Sequence, residues 1–258
     1  MGRPRRFENM RLQLTLKPGW NANNAHYLAV MSALAYDQST LACAETDTQV
    51  LIEEAPDYIA IAFRGTSSLR DFLTDADCAR KTLPHTGDNK VKVHEGFFTA
   101  WESIYRLLIK RLDFTAKPLF ITGHSLGGAL ALICGVELIW RNYNVHSVYT
   151  FGQPRVGNAA FADLAARRLG DRYQRVVYEN DLVARVPHLP SLFDWYCHAG
   201  DEVLLEEGSY GAVLNPSFRQ LLWLELAAAW RGLFIKREEI LQNAYEDHHI
   251  QNYVRRLK

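Results

Sequence analysis

One segment near the middle of the chain, Leu119 to Trp140, constrains the fold more than any other part of the sequence. It begins with the apolar residues LFIT, continues through GHSLG at Gly123 to Gly127, and ends in a stretch rich in Ala and Leu. A short apolar run followed by glycine indicates a strand buried on both faces, and the stretch after it indicates a helix. The pattern GxSxG between a strand and a helix is typical of a sharp turn that presents one serine at the edge of a sheet.

Apolar segments of two kinds alternate along the rest of the chain. Short apolar segments predict strands, and segments with apolar residues three or four apart predict helices. The predicted strands are 49–54, 58–63, 119–122, 147–151, 175–178 and 202–205, and the predicted helices are 26–36, 97–112, 126–140, 159–169 and much of 216–257. Because strands that alternate with helices form parallel sheets, we expect an α/β fold with a mostly parallel central sheet and helices on both faces. No Pro-, Gly- or Ser-rich linker divides the 258 residues, which predicts a single domain over 1–258.

Composition excludes several classes of protein. The 29 Lys and Arg residues balance 29 Asp and Glu residues, and 48% of the chain is hydrophobic. A chain this long and this apolar can bury a substantial core without disulfides. It also lacks the basic excess that is typical of nucleic-acid-binding proteins. The sequence therefore predicts a globular protein with no nucleic-acid partner.

Three features bear on the location of the protein. Arg3, Arg5 and Arg6 resemble the charged start of a signal peptide, but no continuous apolar stretch follows them. Residues 118–136 contain no Asp, Glu, Lys or Arg, yet the proline and glycines within them favour a strand, a turn and a helix over one membrane-spanning helix. The four cysteines include no CxxC pair, which favours free thiols. Together these features predict a cytoplasmic location and no transmembrane helix.

Ser125 is the predicted nucleophile. A turn from strand to helix projects its hydroxyl at the carboxyl edge of the sheet, and Gly123 and Gly127 leave room for the turn. The backbone N–H of Leu126 lies at the start of the helix, where unpaired N–H groups favour a developing negative charge, so it is the predicted oxyanion donor. The alternative interpretation is that Ser125 only caps the helix.

A serine nucleophile needs a base, and the base needs a group that fixes its orientation. Asp181 directly follows the predicted strand 175–178, which places its carboxylate at the same sheet edge as Ser125. The rival acids lie away from strand ends or beyond a loop that contains proline; they are Asp171, Asp194 and Asp201. The alternative for Asp181 is an Asx-turn residue that only shapes its loop.

The base is expected after Asp181 in the chain, because this fold carries its triad in the order Ser, acid, His. The candidates are His188, His198, His248 and His249. His188 follows Asp181 closely, and His198 precedes a predicted strand. Spacing alone does not separate His248 from His249, and either could be a solvated helix residue.

Several motifs in one order carry a resemblance to a known family. They are AFRGTSSLRDFLTD at 62–75, VHEGFFTAW at 93–101, ITGHSLGGALA at 121–131, YTFGQPRVGN at 149–158, ENDLVARVP at 179–187 and DHHIQNY at 247–253. From about Ala29 to Tyr253 the chain resembles the class 3 lipases, the group that includes the secreted fungal triacylglycerol lipases. The resemblance implies an α/β-hydrolase domain with a basic N-terminal tail over about 1–10.

The resemblance also implies roles for individual residues. His248 stands in the catalytic position of DHHIQNY, and Thr66, directly after FRG, would complete the oxyanion hole with Leu126. A lid-like segment would cover about 66–85, with its apolar face on Leu69, Phe72 and Leu73. Phe72 stands where the secreted fungal enzymes commonly have Trp, which weakens an inference of strong interfacial activation. The alternative for this segment is an ordinary surface helix.

These residues predict a serine hydrolase that cleaves carboxylic esters of lipids, most simply acylglycerols, through an acyl-enzyme. The same triad would serve an esterase, a phospholipase or an acyltransferase, and a non-catalytic lipase-like binding protein is a further alternative. No metal or organic cofactor is expected. The expected partners are a lipid or ester substrate and a transient lipid interface, which the aromatic residues Trp223 and Trp230 would contact unless they pack over the core or line the acyl-chain pocket.

Overall fold

Twelve strands lie within the described part of the chain. The computed structural model describes residues 14–17, 19–66, 79–112, 116–178, 181, 183–185, 196–206, 212–214 and 248–258. In chain order the strands are β1 (Leu41–Cys43), β2 (Thr48–Glu54), β3 (Ile59–Phe63), β4 (Arg80–Thr82), β5 (Lys92–His94), β6 (Leu119–His124), β7 (Val145–Phe151), β8 (Gly157–Asn158), β9 (Tyr173–Tyr178), β10 (Tyr196–Cys197), β11 (Asp201–Leu205) and β12 (Ala212–Leu214).

Eight of the described strands form the central sheet, in the order β1-β2-β3-β6-β7-β9-β11-β12. The four successive pairings from β3 to β11 are parallel, and the outer pairings β1–β2, β2–β3 and β11–β12 are antiparallel. The strands β3, β6 and β9 are buried along their whole length, as expected where helices cover both faces of a sheet. The predicted α/β fold with a mostly parallel sheet is confirmed.

Five α-helices are described, and they divide between the two faces of the sheet. They are α1 (Ala22–Leu34), α2 (Glu95–Leu112), α3 (Leu126–Trp140), α4 (Ala159–Leu169) and α5 (Ile250–Arg256). One buried cluster joins α2, α3 and α4 to one face of the sheet, and a second cluster joins α1 and α5 to the other. The described 3₁₀ helices are Pro84–Thr86, Gly170–Arg172 and Val183–Arg185.

The uncharged run over 118–136 is the strand β6, a turn at Ser125 and most of α3, as the sequence predicts. Every residue of β6 is buried because helices cover both faces of this central strand, and nearly all of α3 is buried because it packs between the sheet and its neighbouring helices. Of the helices that the structure describes, none has the length and apolar character needed to cross a bilayer.

A second, smaller sheet was not predicted. Its four described strands are antiparallel, in the order β10-β8-β5-β4, and each is only two or three residues long. Segments this short carry too few residues to display an alternating pattern. In this sheet β5 directly precedes α2 and β8 directly precedes α4, so the sheet anchors the start of both helices.

Several predictions lie outside the described residues. These are the tail 1–10, the lid residues Leu69, Phe72 and Leu73, the aromatic residues Trp223 and Trp230, and the helical pattern from 216 to 247. Residues 79–85 of the lid-like segment are described and contain β4 and the start of a 3₁₀ helix.

Candidate active site

Ser125 occupies a strained turn between β6 and α3. Its backbone has φ 57° and ψ −128°, a conformation that side-chain-bearing residues rarely adopt. Its N–H donates a hydrogen bond to the carbonyl of Phe151 at 2.9 Å, which ties the turn to the end of β7. Strain of this kind persists only where the surrounding structure holds it, and it is common at functional sites.

This turn requires the two glycines of the GHSLG motif, because backbone atoms occupy the space where their side chains would otherwise lie. A Cβ atom on Gly123 would lie 2.2 Å from the carbonyl oxygen of Gly127. A Cβ atom on Gly127 would lie 2.2 Å from the carbonyl oxygen of Phe63, the last residue of β3. Both contacts are with backbone, so neither could be relieved by turning a side chain.

Asp181 lies just beyond the end of β9, and its carboxylate is fully buried. One oxygen, Oδ1, accepts hydrogen bonds from the N–H groups of Val183 at 2.9 Å and Ala184 at 3.3 Å. The other oxygen, Oδ2, lies 2.7 Å from Nδ1 of His248. Asp181 therefore forms the Asx-type turn of its own loop and contacts a histidine at the same time.

The structure places His248, and not His249, against Asp181. The His248 side chain is 3% exposed, whereas His249 is exposed and precedes α5 as its N-cap residue. Among the other candidate bases, His198 directs Nε2 to the carbonyl of Ala184 at 2.7 Å, and His188 lies outside the described residues.

The rival acids do not contact His248 in the part of the chain that the structure describes. Asp171 is exposed in the 3₁₀ helix 170–172, and Asp201 is exposed at the start of β11. Asp194 lies outside the described residues.

Two atoms of this site are buried without a hydrogen-bond partner among the described residues. They are the hydroxyl oxygen of Ser125 and Nε2 of His248. Both residues line one cavity of about 310 Å³, together with Thr66, Tyr36 and His124. Where a serine and a histidine act as nucleophile and base, their hydrogen bond often forms only when substrate is bound.

Of the two predicted oxyanion donors, Thr66 lines the same cavity and Leu126 is adjacent to Ser125 in the chain. Thr66 is half-buried and lines it, three residues beyond the end of β3. Leu126 follows Ser125 as the first residue of α3, where backbone N–H groups have no partner within the helix. The Ser125 hydroxyl, the His248 imidazole and the N-terminus of α3 therefore lie together at one end of the parallel strands.

Sequence reasoning missed the contribution of Tyr253. Its hydroxyl, fully buried on α5, donates to Oδ2 of Asp181 at 2.5 Å and accepts from the N–H of Tyr178 at 3.1 Å. The Asn-Tyr pair at the end of DHHIQNY was the available signal, but the sequence does not show that the helix returns this tyrosine to the end of β9.

A second missed pair is Tyr36 and His124. The His124 ring is 4% exposed and packs against the His248 ring, with 4.3 Å between ring centroids. Its Nδ1 lies 2.8 Å from the Tyr36 hydroxyl, and its Nε2 lies 2.6 Å from the carbonyl oxygen of His248. Burial holds the pKa of His124 well below its ordinary value, and the neighbouring His248 acts in the same direction.

Comparison with known proteins decides the family. The family model described as Lipase (class 3) matches residues 60–191 of this chain. The chain belongs to the class 3 lipase family. The matched range contains Thr66, Ser125 and Asp181, and it ends before His248.

Fungal lipases are among the relatives of this member of the class 3 lipase family. A lipase of Rhizomucor miehei is 35% identical over 174 residues, which cover 64% of this chain and 46% of that protein. A secreted mono- and diacylglycerol lipase of Fusarium solani is 33% identical over 164 residues, which cover 62% of this chain and 47% of that protein. The chain thus spans about half the length of the curated relatives it matches.

Solved lipase structures share the fold. The triacylglyceride lipase of Rhizomucor miehei superposes with a TM-score of 0.65 at 30% identity, covering 74% of this chain and 83% of that one. A triacylglycerol lipase whose catalytic centre is a serine protease triad gives a TM-score of 0.65 at 28% identity, covering 78% and 88%. The predicted α/β-hydrolase fold is confirmed.

The prediction of a cytoplasmic location is wrong. Two relatives of this chain, one from Fusarium solani and one from Penicillium cyclopium, are secreted mono- and diacylglycerol lipases, which contradicts it. The prediction depended on the residues that follow Arg6 and on the number of cysteines. Those features carry little weight, because the chain matches only part of its relatives and because free thiols such as Cys43 and Cys134 suit either location.

In the ranges that the structure describes, no group of three or more His, Cys, Asp or Glu side chains could hold a metal ion.

Proposed function

We propose that this protein hydrolyses carboxylic esters of acylglycerols through an acyl-enzyme formed on Ser125. The observation that carries the proposal is the meeting of three buried groups from distant parts of the chain: Ser125 and His248 line one cavity, and Asp181 contacts His248 from behind. Ser125 stands on the turn after β6, Asp181 follows β9, and His248 precedes α5. The contact of Asp181 with Nδ1 of His248 at 2.7 Å leaves Nε2 directed away from the acid and available to a hydroxyl.

In the first step, the Ser125 hydroxyl attacks the ester carbonyl while Nε2 of His248 accepts the hydroxyl proton. The resulting imidazolium then donates this proton to the leaving alcohol, and the acyl group stays on the serine oxygen. Water repeats the sequence: His248 deprotonates it, the acyl-enzyme is cleaved, and Ser125 regains its proton. Asp181 keeps the proton of His248 on Nδ1 and stabilises the imidazolium.

The negative charge on the carbonyl oxygen would be held by the backbone N–H groups of Leu126 and Thr66. Leu126 is the first residue of α3, and Thr66 lines the cavity beside Ser125. Donors fixed in advance act strongly because they need no reorganisation during the reaction, and loss of one costs about 10²–10³ in turnover. The Thr66 hydroxyl is a further donor in this role.

Tyr253 and the backbone of Val183 and Ala184 would hold the Asp181 carboxylate in place. Together they donate three hydrogen bonds to its two oxygens, at 2.5, 2.9 and 3.3 Å. A buried carboxylate is stable only when it is paired or hydrogen-bonded, and these bonds supply that stabilisation in addition to His248.

Acylglycerols are the proposed substrate class because relatives that share the family include mono- and diacylglycerol lipases and a triacylglyceride lipase. An uncharged ester needs no electrostatic steering, which agrees with the balanced charge of the chain. The same chemistry implies transient contact with a lipid interface, where such esters reside.

The test compares wild type with Ser125→Ala on a panel of mono-, di- and triacylglycerols, a phospholipid and a p-nitrophenyl ester. We expect acylglycerol hydrolysis by wild type, a fall of several orders of magnitude in Ser125→Ala, and labelling of Ser125 alone by a fluorophosphonate. Retained activity in Ser125→Ala would refute the assignment of the nucleophile. Wild-type activity confined to the phospholipid, or to the p-nitrophenyl ester, would refute the substrate class.

A further inference from the structure

Two side chains behind the nucleophile connect the three segments of the proposed site. His124 is the last residue of β6 and directly precedes Ser125, and Tyr36 lies just after α1. The Tyr36 hydroxyl is also close to the segment that carries Thr66, since a Cβ atom on Gly65 would lie 2.1 Å from it. The pair therefore contacts the nucleophile turn, the loop of His248 and the proposed oxyanion segment.

The hydrogen bonds of His124 define which of its nitrogens carries the proton. The carbonyl oxygen of His248 can only accept, so Nε2 of His124 must donate to it over the 2.6 Å between them. Burial lowers the pKa of His124 well below its ordinary value, so the ring is neutral and holds one N–H. Its Nδ1 is consequently an acceptor, and the Tyr36 hydroxyl donates to it at 2.8 Å.

The groups around the His124 ring are consistent with a neutral ring. The titratable groups that face it are the Tyr36 hydroxyl, the His248 imidazole and the Tyr253 hydroxyl, and His249 adds a repulsive charge when protonated. A second positive charge 4.3 Å from His248 would oppose formation of the imidazolium that ester cleavage requires. A neutral ring that donates to the His248 carbonyl fixes the base without this penalty.

We propose that His124 and Tyr36 are positioning residues that fix the His248 backbone and the Gly65–Thr66 segment relative to Ser125. The inference rests on the proposed function, because it assigns these residues to the same site. In this proposal neither residue acts on the substrate carbonyl: His124 acts through the carbonyl of His248, and Tyr36 acts through His124 and through its close approach to Gly65. A misplacement of about 1 Å between reacting groups can cost about 10²-fold in rate, which sets the scale of the expected effect.

The experiment separates the hydrogen bond of His124 from the packing of its ring. His124→Phe keeps a flat ring and removes both hydrogen bonds, whereas His124→Gln keeps an amide donor near the position of Nε2 and loses the ring. Tyr36→Phe deletes only the hydroxyl that donates to Nδ1. Tyr27→Phe is the matched control, because Tyr27 lies on α1, the helix just before Tyr36, but its hydroxyl bonds to Glu53. The kcat and KM for a short-chain p-nitrophenyl ester and the midpoint of thermal unfolding are measured for each protein.

We expect His124→Phe to lose about tenfold to hundredfold in kcat, with KM within about threefold of wild type. His124→Gln should recover at least threefold of that loss, and Tyr36→Phe should lose more kcat than Tyr27→Phe. The proposal is wrong if folded His124→Phe keeps kcat within threefold of wild type, or if His124→Gln is no better than His124→Phe.

Two further outcomes have a defined meaning: a His124→Phe variant that does not fold, and a wild-type protein without esterase activity. If His124→Phe does not fold, the comparison of Tyr36→Phe with Tyr27→Phe decides, and equal kcat in these two variants overturns the proposal. Failure of the proposed function is a different result, because wild type itself would then neither hydrolyse esters nor react with a fluorophosphonate.

Discussion

Replacing Tyr253 by Phe tests whether the buried acid of the site is stabilised as a charged group. The substitution removes one hydroxyl and leaves the ring, which is fully buried between α5 and the sheet. It deletes the hydrogen bond to Asp181 Oδ2 at 2.5 Å and leaves the N–H of Tyr178 without the acceptor that it has at 3.1 Å. A hydrogen bond to a charged group contributes about 1.5–3 kcal/mol, so we expect Tyr253→Phe to lower the free energy of unfolding by about that amount.

Tyr149 provides a matched control. Its hydroxyl is equally buried, donates to the carbonyl of Gly19 at 3.0 Å, and accepts from the N–H of Asn21 at 3.0 Å. The two tyrosines thus make the same kinds of bonds, except that one donates to a carboxylate and the other to a neutral carbonyl. A bond between neutral groups contributes about 0.5–1.5 kcal/mol, so Tyr149→Phe should cost about 1 kcal/mol less than Tyr253→Phe.

The assay is urea unfolding at pH 7 followed by far-UV circular dichroism, with ester turnover measured on the same preparations. Because Val183, Ala184 and His248 still hold Asp181, we expect kcat of Tyr253→Phe to fall by no more than about tenfold. An equal or larger loss of stability in Tyr149→Phe would refute the reasoning, since it would mean that the charge of the acceptor has no effect. Unchanged stability in Tyr253→Phe would refute the bond itself.

Three other predictions test separate features. Gly127→Ala places a Cβ 2.2 Å from the carbonyl oxygen of Phe63, and we expect a loss of more than about 3 kcal/mol in unfolding free energy or no folded protein, measured by thermal melting. Asp181→Asn keeps the shape but favours the wrong tautomer of His248, so kcat should fall by about 10⁴ in a p-nitrophenyl ester assay. Burial raises the pKa of Glu137 above its ordinary 4.5. The stability that its protonated form contributes is therefore complete below pH 4.5 and is lost as the pH rises through the higher pKa of the folded state. The free energy of unfolding of Glu137→Gln, measured by urea unfolding, should thus rise relative to that of wild type from pH 4 to pH 7.

The sequence predicted the parts of this molecule whose signals are local. The strand β6, the turn at Ser125 and the helix α3 are consecutive, so one stretch of sequence contains the apolar run, the glycines and the Ala-rich helix that define them. The place of Asp181 just beyond β9 was predicted for a similar reason, because the apolar pattern identifies the strand before it. The small antiparallel sheet escaped prediction because its strands are too short to show a period.

The choice between His248 and His249 shows where local signals end. The two residues are adjacent and chemically identical, and both line the cavity. They differ in where their side chains point, because that of His248 is buried against Asp181 and that of His249 is exposed. The helix α5 begins at Ile250 and packs so that Tyr253 also reaches Asp181. That direction is set by contacts between the C-terminal helix and the end of β9, which are distant in sequence and have no signature in the spacing of residues.

The same reasoning explains why the residue next to the nucleophile went unnoticed. In the sequence, His124 is one of two unspecified positions of GxSxG, and the motif places no demand on it. In the fold, it ends the strand that delivers Ser125 and donates to the carbonyl of the histidine proposed as the base. A side chain in that position connects the turn at Ser125 to the backbone of His248 through one hydrogen bond. The strand that exposes the serine therefore also contacts the histidine proposed as its base, which ties the geometry of the proposed pair to β6 rather than to two independent loops.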